Sequence, residues 1–396
     1  MTPEQGRPPV PGYASGMLLF AACTGTPPAD DSAPVPLGDM LMPRPLAVLL
    51  LAALPVATDC CRPTSVSACT TAVITGKASA DGRPILWKSR DTKSLPRNEV
   101  VIYDGESYRV LAVVNDEDHE KVWMGVNSAG FCIENSVSHD LDVEGEDKGP
   151  GNGRIMKVAL ETCATVADFR SLLENTDATG RQTEGNFGVI DAAGGAALFE
   201  AGPRSFRMFD ANDPAVAPRG IIVRSNFSTT AHDLPPTPEP ALLKDTYSAD
   251  RYARACRLLH DRQPAELDVA FVLRNVCRDL ANPAGEPFVG TVNGPAGELP
   301  ESVSTAHTIS RTTTVSAGVF HGVKPGEDPR ITTLWIALGD PKFSIAVPCW
   351  VAVQDTSDAV AGEKGGPLCS IASTLREWNL TSDRDGVHTA ELKQIW

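Results

Sequence analysis

The sequence predicts a single α+β domain built in layers. Three observations carry this. From Cys69 onward, short apolar and β-branched runs are ended by Asp, Gly or Asn, as strands are. Two pairs of helical segments interrupt them. No repeat and no domain-sized linker divides the remainder, so strands, paired helices, strands, paired helices and strands belong to one core.

The elements follow in order. Thr70–Thr75 and Pro84–Ser89 flank the turn Ala80-Asp81-Gly82 and read as strands. Asn98–Tyr103, Tyr108–Val114 and Lys121–Val126 come next, and Asn127-Ser128-Ala129-Gly130 turns the last of them into Phe131–Asn135. Asp140 to Gly153 is acidic and Gly-rich, hence a loop. Arg154 to Cys163 is mostly apolar and predicts a helix. Thr165 with Asp168 forms a capping-box pattern for a second, with Phe169, Leu172 and Leu173 on one face. Asn186–Asp191 and Ala196–Ala201 flank the hairpin signal Ala192 to Gly195, and Gly220–Asn226 is a further strand. The Pro-rich 229–247 stretch is a surface excursion. Helices are then expected over Ala249–Leu259 and Ala265–Leu280, the second opened by Pro264 with Glu266 and Asp268 in its first turn. After the Gly/Pro-rich loop Asn282 to Glu301, strands are expected at His307–Thr313, Val315–Phe320, Thr332–Ala337 and Phe343–Val351.

Residues 1–68 have another character. Pro-rich polar stretches surround two short apolar runs. Pro45 to Ala57, preceded by Arg44 and by the alternative starts Met40 and Met42, has the length of a secretory h-region and is too short to span a bilayer. Met17 to Ala22 before Cys23 is a weaker, lipoprotein-like pattern. The expectation is a removable leader over 1–68, a catalytic domain over 69–396 without a membrane span, and export to the cell envelope or the medium. The net charge of −15 argues against nucleic acid or an anionic membrane surface as partner. It also favours neutral or cationic amines over anionic ones as small-molecule partners. Self-association stays open.

Of the ten cysteines, Cys23, Cys60 and Cys61 fall in the leader. The other seven contain no Cys-x-x-Cys, and Cys256 with His260 is far short of a zinc pattern, so no metal or other cofactor is expected. Six of the seven read as small buried residues. Cys69 differs. Val66 and Ala68 suit a processing peptidase, and a cut between Ala68 and Cys69 would leave Cys69 as a new N-terminus at the start of a strand. Such a residue carries a nucleophile and, in its α-amine of pKa about 7.7–8.0, a base that is partly neutral at physiological pH. His307 lies near Ser310-Arg311, but no papain-like signature surrounds any cysteine, which argues against a Cys–His pair.

The order of motifs sharpens this reading. Cys69-Thr70-Thr71, followed some twenty residues later by Lys88-Ser89-Arg90-Asp91, resembles the mature start of N-terminal-nucleophile cysteine hydrolases of the penicillin acyltransferase-like and choloylglycine hydrolase-like group. Gly76-Lys77-Ala78-Ser79-Ala80-Asp81-Gly82 resembles the related secreted dipeptidases. Gly125-Val126-Asn127-Ser128-Ala129-Gly130-Phe131, Asn186-Phe187-Gly188-Val189-Ile190-Asp191 with Phe199-Glu200, Arg224-Ser225-Asn226-Phe227 and Ser310-Arg311 resemble later motifs of the group, in register over most of 69–351. The resemblance implies a four-layer αββα sandwich with two antiparallel sheets between helix layers. It implies Cys69 as nucleophile, Asp91 holding its α-amine, Asn226 first and Asn135 second as oxyanion donors, Arg311 orienting the thiol or binding a substrate carboxylate, and Ser310 supporting the nucleophile. The sequence departs from the bile-salt-hydrolase-like pattern at one point: Lys88 stands where that group has Arg, and Arg90 sits beside the Asp. Lys88 and Arg90 share a strand face and Asp91 points to the other, so either cation is a candidate to orient thiol or substrate.

The expected activity is hydrolysis of a linear amide C–N bond, other than an internal peptide bond, through an acyl-Cys69 intermediate. The alternatives are an acyltransferase in which an amine resolves that intermediate, a secreted dipeptidase, and a secreted binding sandwich without catalysis.

Overall fold

A computed structural model describes residues 68–141, 149–287, 289–291, 300–362, 364–390 and 392. The leader through Ser67, with its apolar runs and Cys23, Cys60 and Cys61, lies outside the described residues, as do parts of the two loops expected at 140–153 and 282–301.

The chain begins with β1 (Thr70–Ile74), β2 (Ile85–Asp91), β3 (Asn98–Asp104), β4 (Arg109–Asn115), β5 (Asp118–Asn127) and β6 (Cys132–Val137). Helices α1 (Asn152–Thr162) and α2 (Val166–Asp177) follow, then β7 (Gly185–Ile190), β8 (Ala196–Ala201), β9 (Phe206–Asp210) and β10 (Ile221–Arg224). Next come α3 (Ala249–His260), the single turn α4 (Val269–Phe271), β11 (Val289–Thr291), β12 (Ser302–Ser304), β13 (Thr314–His321), β14 (Thr333–Leu338), β15 (Val347–Trp350), α5 (Pro367–Asn379) and β16 (Gly386–His388). One sheet has the order β10-β1-β2-β13-β14-β15, the other β3-β4-β5-β6-β7-β8-β9, and β11-β12-β16 form a small third. All pairings within the two large sheets are antiparallel.

Strand alternation builds the layers. Val73, Leu86 and Phe320 of the first sheet meet Leu111, Met124, Ile190 and Leu198 of the second in one apolar cluster between the sheets. The opposite face of the first sheet, with Ala72, Trp87 and Val319, packs on Tyr252, Ala255 and Leu259 of α3 and on Val272 and Val276. The outer face of the second sheet, with Ala112, Ile133 and Phe187, packs on Ile155 and Leu160 of α1 and Phe169 and Leu173 of α2. The result is the four-layer αββα sandwich. Each fully buried Leu, Ile or Phe contributes roughly 1.5–3 kcal/mol, so the three clusters are the main favourable term.

Local chemistry agrees with most expected elements. Thr165 Oγ1 accepts from the Asp168 N–H while Asp168 accepts from the Thr165 N–H, which starts α2 where expected. Gly130 closes the β5–β6 hairpin at φ 78°, a conformation only glycine adopts freely.

Three expectations are corrected. The helix over Ala265–Leu280 is broken: Pro264–Glu266 is a 3-10 turn, Asp268 caps a new start by accepting the Phe271 N–H, and Val272–Val276 continues as a π turn. His307–Thr313 is a loop, because its Ser and Thr hydroxyls take over the backbone: Thr308 donates to Thr305 O and Ser310 O, and Thr305 Oγ1 accepts from the Thr312 N–H. The last long strand shrinks to β15, where Pro348 is tolerated because β15 lies at the sheet edge. The sequence reading also stopped short of β9, of α5 and of the small sheet.

Candidate active site

Cys69 immediately precedes β1 and shares its parity with Thr71 and Val73, so its side chain belongs to the face between the sheets. It is 7% exposed and lines a cavity of about 580 Å³. Lys88, Arg90 and Asp91 contribute from β2, Trp123, Asn135 and Val137 from β5 and β6, and Gly149 to Arg154 from the start of α1. The α-nitrogen of Cys69 is still an amide, joined to the buried Ala68.

The expected facing of β2 holds. Lys88 and Arg90 reach between the sheets, and Asp91 lies on the α3 side. The β5–β6 ladder ends at Met124–Glu134, and the Lys88 ammonium fills the gap beyond it, donating to Trp123 O at 2.7 Å and Asn135 Oδ1 at 2.8 Å. Arg90 Nη1 donates to Asn98 Oδ1 at 3.0 Å and Asn115 Oδ1 at 3.1 Å, and its guanidinium stacks over the Trp123 ring at 4.1 Å.

Burial pushes the Cys69 thiol above its ordinary pKa; Lys88, the Asp91 backbone N–H and Arg90 oppose this, while the Asp91 carboxylate adds to it. Burial pushes Lys88 down, and nearby Cys69 and Glu134 resist. Removing the ammonium in Lys88→Met leaves desolvation less opposed, so the thiol should alkylate with a pH midpoint above that of the unaltered chain. Lys88→Arg, which keeps the charge, should stay close to it. Iodoacetamide labelling of Cys69 followed by mass spectrometry across pH checks this, and an unchanged midpoint in Lys88→Met removes the ammonium from the role.

Asp91 is nearly fully buried. Thr314 Oγ1 donates to its Oδ1 at 2.6 Å, and Arg311 Nη1 lies 4.0 Å from Oδ2. Burial raises Asp91 to about 6, against the lowering pull of Arg311, Arg251 and the Thr314 hydroxyl. Arg311 thus pairs with Asp91, and no hydrogen bond joins it to the thiol among the described residues. The Ser310 hydroxyl accepts from Lys342 Nζ at 3.1 Å, and Lys342 also donates to Arg311 O at 3.0 Å while paired with Asp340.

The two asparagines have different settings. Asn135 lines the cavity beside Cys69, and since its Oδ1 accepts from Lys88, its Nδ2 is the donor left. Asn226 does not line that cavity; its Nδ2 donates to Val137 O at 2.7 Å and its Oδ1 accepts from Arg251 at 2.8 Å.

Three residues were missed. Arg251 of α3 donates to Cys69 O at 2.6 Å, to Thr70 Oγ1 at 2.9 Å and to Asn226 Oδ1, which fixes the backbone at the nucleophile. Its signal was its place on the apolar face of α3, four residues before Ala255 and eight before Leu259. Glu134 lies buried between the sheets, accepting from Thr71 Oγ1, and burial lifts it to about 8 against Lys88 and the Thr71 hydroxyl. The carboxyl sits where a Cβ on Gly188 would be, which explains that glycine in β7. Lys342 is the third, a buried cation with no periodic signal.

His307 pairs with Asp250 on an exposed face at 2.9 Å, away from the cavity lining. All seven described cysteines are buried and free. No cluster of His, Cys, Asp and Glu suited to a metal occurs among the described residues, and no described helix is long and apolar enough to cross a membrane. The cavity lining includes Lys88, Arg90, Lys121 and Arg154, of which Lys121 pairs with Asp118 and Arg154 with Glu120.

No family model matches the chain, and no curated protein matches it by sequence. Among solved structures, the chain is similar to a Caenorhabditis elegans ortholog of N-acylethanolamine-hydrolyzing acid amidase, at 12% identity and TM-score 0.42 over 64% of this chain and 92% of that one. It is similar to penicillin V acylase from Agrobacterium tumefaciens, at 14% identity and TM-score 0.38 over 68% and 82%. It is also similar to a variant of conjugated bile acid hydrolase from Clostridium perfringens, at 10% identity and TM-score 0.44 over 75% and 94%.

Proposed function

We propose that this chain is an exported amide hydrolase whose nucleophile is Cys69, exposed as the N-terminus when residues 1–68 are removed. The observation that carries the proposal is the setting of Cys69: its thiol lines a cavity with Lys88 and Arg90 behind it, Asp91 adjoins it, and Arg251 grips its carbonyl. A structural cysteine needs none of these.

Removal of the leader follows from the same groups. The Cys69 sulfur attacks the Ala68 carbonyl carbon, and the C–N bond breaks as the α-nitrogen takes up a proton. A thioester joins Ala68 to Sγ until water hydrolyses it, leaving a carboxylate on Ala68 and a free thiol. A signal peptidase cutting after Ala68 gives the same product. In turnover the α-amine accepts the thiol proton and the thiolate attacks the substrate carbonyl. The oxyanion is met by Asn135 Nδ2, and the departing amine takes the proton back. Water then attacks the acyl-Cys69 thioester with the α-amine as base. Asp91, whose buried Oδ2 accepts no hydrogen bond among the described residues of the joined chain, gains the new α-ammonium as a partner.

N-terminal sequencing and intact mass of the exported protein test this. The expected mature chain starts at Cys69 and turns over linear amides. A folded, exported protein that retains residues ahead of Cys69 overturns the proposal.

A further inference from the structure

A second cavity, of about 330 Å³, opens between the π turn Val272–Val276 and the small third sheet. It shares no lining residue with the cavity at Cys69. Its volume is at the lower end of the roughly 300–1,000 Å³ of ligand cavities. The apolar wall is gathered from separate parts of the chain: Leu280 and Ala281 after the π turn, Pro287, Val303 of β12, and Leu392. An antiparallel bridge between Ala281 and Pro287 closes the loop between them. Val303 is held opposite Val387 of β16. Apolar side chains around an open cavity keep water against their faces, which is unfavourable.

The rim of this cavity is basic. Arg274 and Arg278 stand four residues apart and both line it. Like charges at that spacing repel. Arg274 has no ion pair among the described residues. Arg278 donates from Nε to Pro341 O at 2.9 Å and from Nη2 to Ser344 O at 2.7 Å, both neutral acceptors, which leaves Nη1. Burial pushes Arg278 below its ordinary pKa, the Cys277 thiol resists, and Arg274 adds to the fall. Arg257, beside Gly285, donates to Pro283 O at 3.2 Å and adds a third cation. The one lining carboxylate, Asp279, is already spent. Arg254 holds its two oxygens at 2.7 and 3.0 Å, and Oδ2 also accepts from the Ala281 N–H. Glu286 is not part of the lining and accepts from Asn282 Nδ2 at 3.5 Å.

One kind of occupant relieves both the wet apolar wall and the crowded arginines. We propose that this cavity is a ligand site for a small amphiphilic carboxylate, a medium-chain fatty acid, with its chain on Leu280, Val303 and Leu392 and its head on Arg274 and Arg278 Nη1. A guanidinium suits that head because its N–H groups can meet both carboxylate oxygens. A neutral alcohol would meet the wall alone, and a short acid the rim alone, so affinity requires both parts. The site is separate from Cys69 and does not depend on the hydrolytic reading of that residue.

Calorimetry on the purified protein with octanoate, hexanoate, acetate and octanol tests this. Octanoate should bind about tenfold or more tighter than octanol, the size of one charge-assisted hydrogen bond. It should also bind about tenfold tighter than hexanoate, from the extra CH₂ groups buried. Acetate should give no measurable heat. Arg278 also holds the 341–344 turn, so the exposed Arg274 is the residue to vary. Arg274→Gln should weaken octanoate about tenfold and leave octanol unchanged, and Arg274→Glu should abolish octanoate binding. Urea midpoints equal to that of the unaltered chain show that both variants keep the fold. The cavity at Cys69 also holds cations, so the titration is repeated in Arg90→Gln, where octanoate affinity should persist. Absence of octanoate binding, affinity that octanol matches, affinity that survives Arg274→Glu, or affinity lost in Arg90→Gln overturns the proposal.

Discussion

Replacing Cys69 by alanine should lower amide turnover by roughly 10³–10⁶-fold, the range seen when a nucleophile is removed from a unit that acts in concert. The reason is that no other described thiol is placed to substitute. Burial pushes Cys163 and Cys349 to about 11, and Cys256 and Cys277 to about 12. None of these four lines the cavity, and Cys69 alone among the seven has Lys88, Arg90 and a backbone N–H opposing its desolvation. Cys69→Ala should also retain the Ala68–Cys69 bond wherever self-cleavage is the route, whereas signal-peptidase processing would still produce a chain starting at residue 69. Intact mass therefore separates the two routes in the same sample that gives the rate. Since alanine is smaller than cysteine and apolar, the fold should survive. Urea unfolding of the variant verifies that lost activity is lost chemistry. Full turnover in Cys69→Ala would disprove the assignment and leave a buried thiol or an unrelated group to find.

Much of this site was legible in the sequence because it depends on strand parity. Once β2 was recognised, Lys88 and Arg90 had to share one strand face and Asp91 the other; the register of β1 on β2, Thr71 opposite Lys88, then puts Cys69 on the side of Lys88 and Arg90. The cavity was not legible, since it needs the second sheet to present Asn135 and Trp123 where the β5–β6 ladder stops. A ladder's last pair is set by packing that no local pattern encodes. Ser310 and Arg311 were found as a motif but given strand geometry. Their true setting is a hydroxyl-rich loop, anchored by Lys342 from a segment distant in sequence. Arg251 and Glu134 were overlooked because a charged residue on an apolar face usually reads as solvated. Here the face is buried, and the charge is satisfied only by partners from other elements. The different settings of Asn226 and Asn135 were hidden for a related reason. Both are strand-end asparagines by sequence, and only the tertiary structure shows which amide is already spent on a carbonyl.

The largest effect on stability should come from Glu200. Its carboxylate and the guanidinium of Arg224 are both fully buried, 2.9 Å apart between β8 and β10. Glu200 also accepts from Thr229 N at 2.7 Å, Thr229 Oγ1 at 3.0 Å, Thr230 N at 2.8 Å and the Thr230 hydroxyl, so it pins the turn that follows Asn226. Arg224 in turn donates to Pro236 O at 2.8 Å and Thr229 Oγ1 at 3.1 Å, which extends the anchor into the Pro-rich excursion. Glu200→Gln keeps the shape but strands Arg224 as a buried, unpaired charge, and about 3–5 kcal/mol of unfolding free energy should be lost. The pH dependence has a definite sign. Burial pushes Glu200 up, but Arg224 and the Thr229 and Thr230 donors outweigh it and hold the carboxyl below its usual range. An acid with a lowered folded pKa contributes stability above its unfolded value, about 4.3, and loses it as pH falls through the folded value. The gap between the unaltered chain and Glu200→Gln should therefore be full at pH 7 and narrow below about pH 4. Urea titrations at pH 7 and at the lowest pH where both chains remain folded measure it. Adding Arg224→Met to Glu200→Gln should recover part of the loss, because it removes the stranded cation. A loss under about 1 kcal/mol at pH 7 would place the pair among ordinary surface ion pairs and refute its anchoring role.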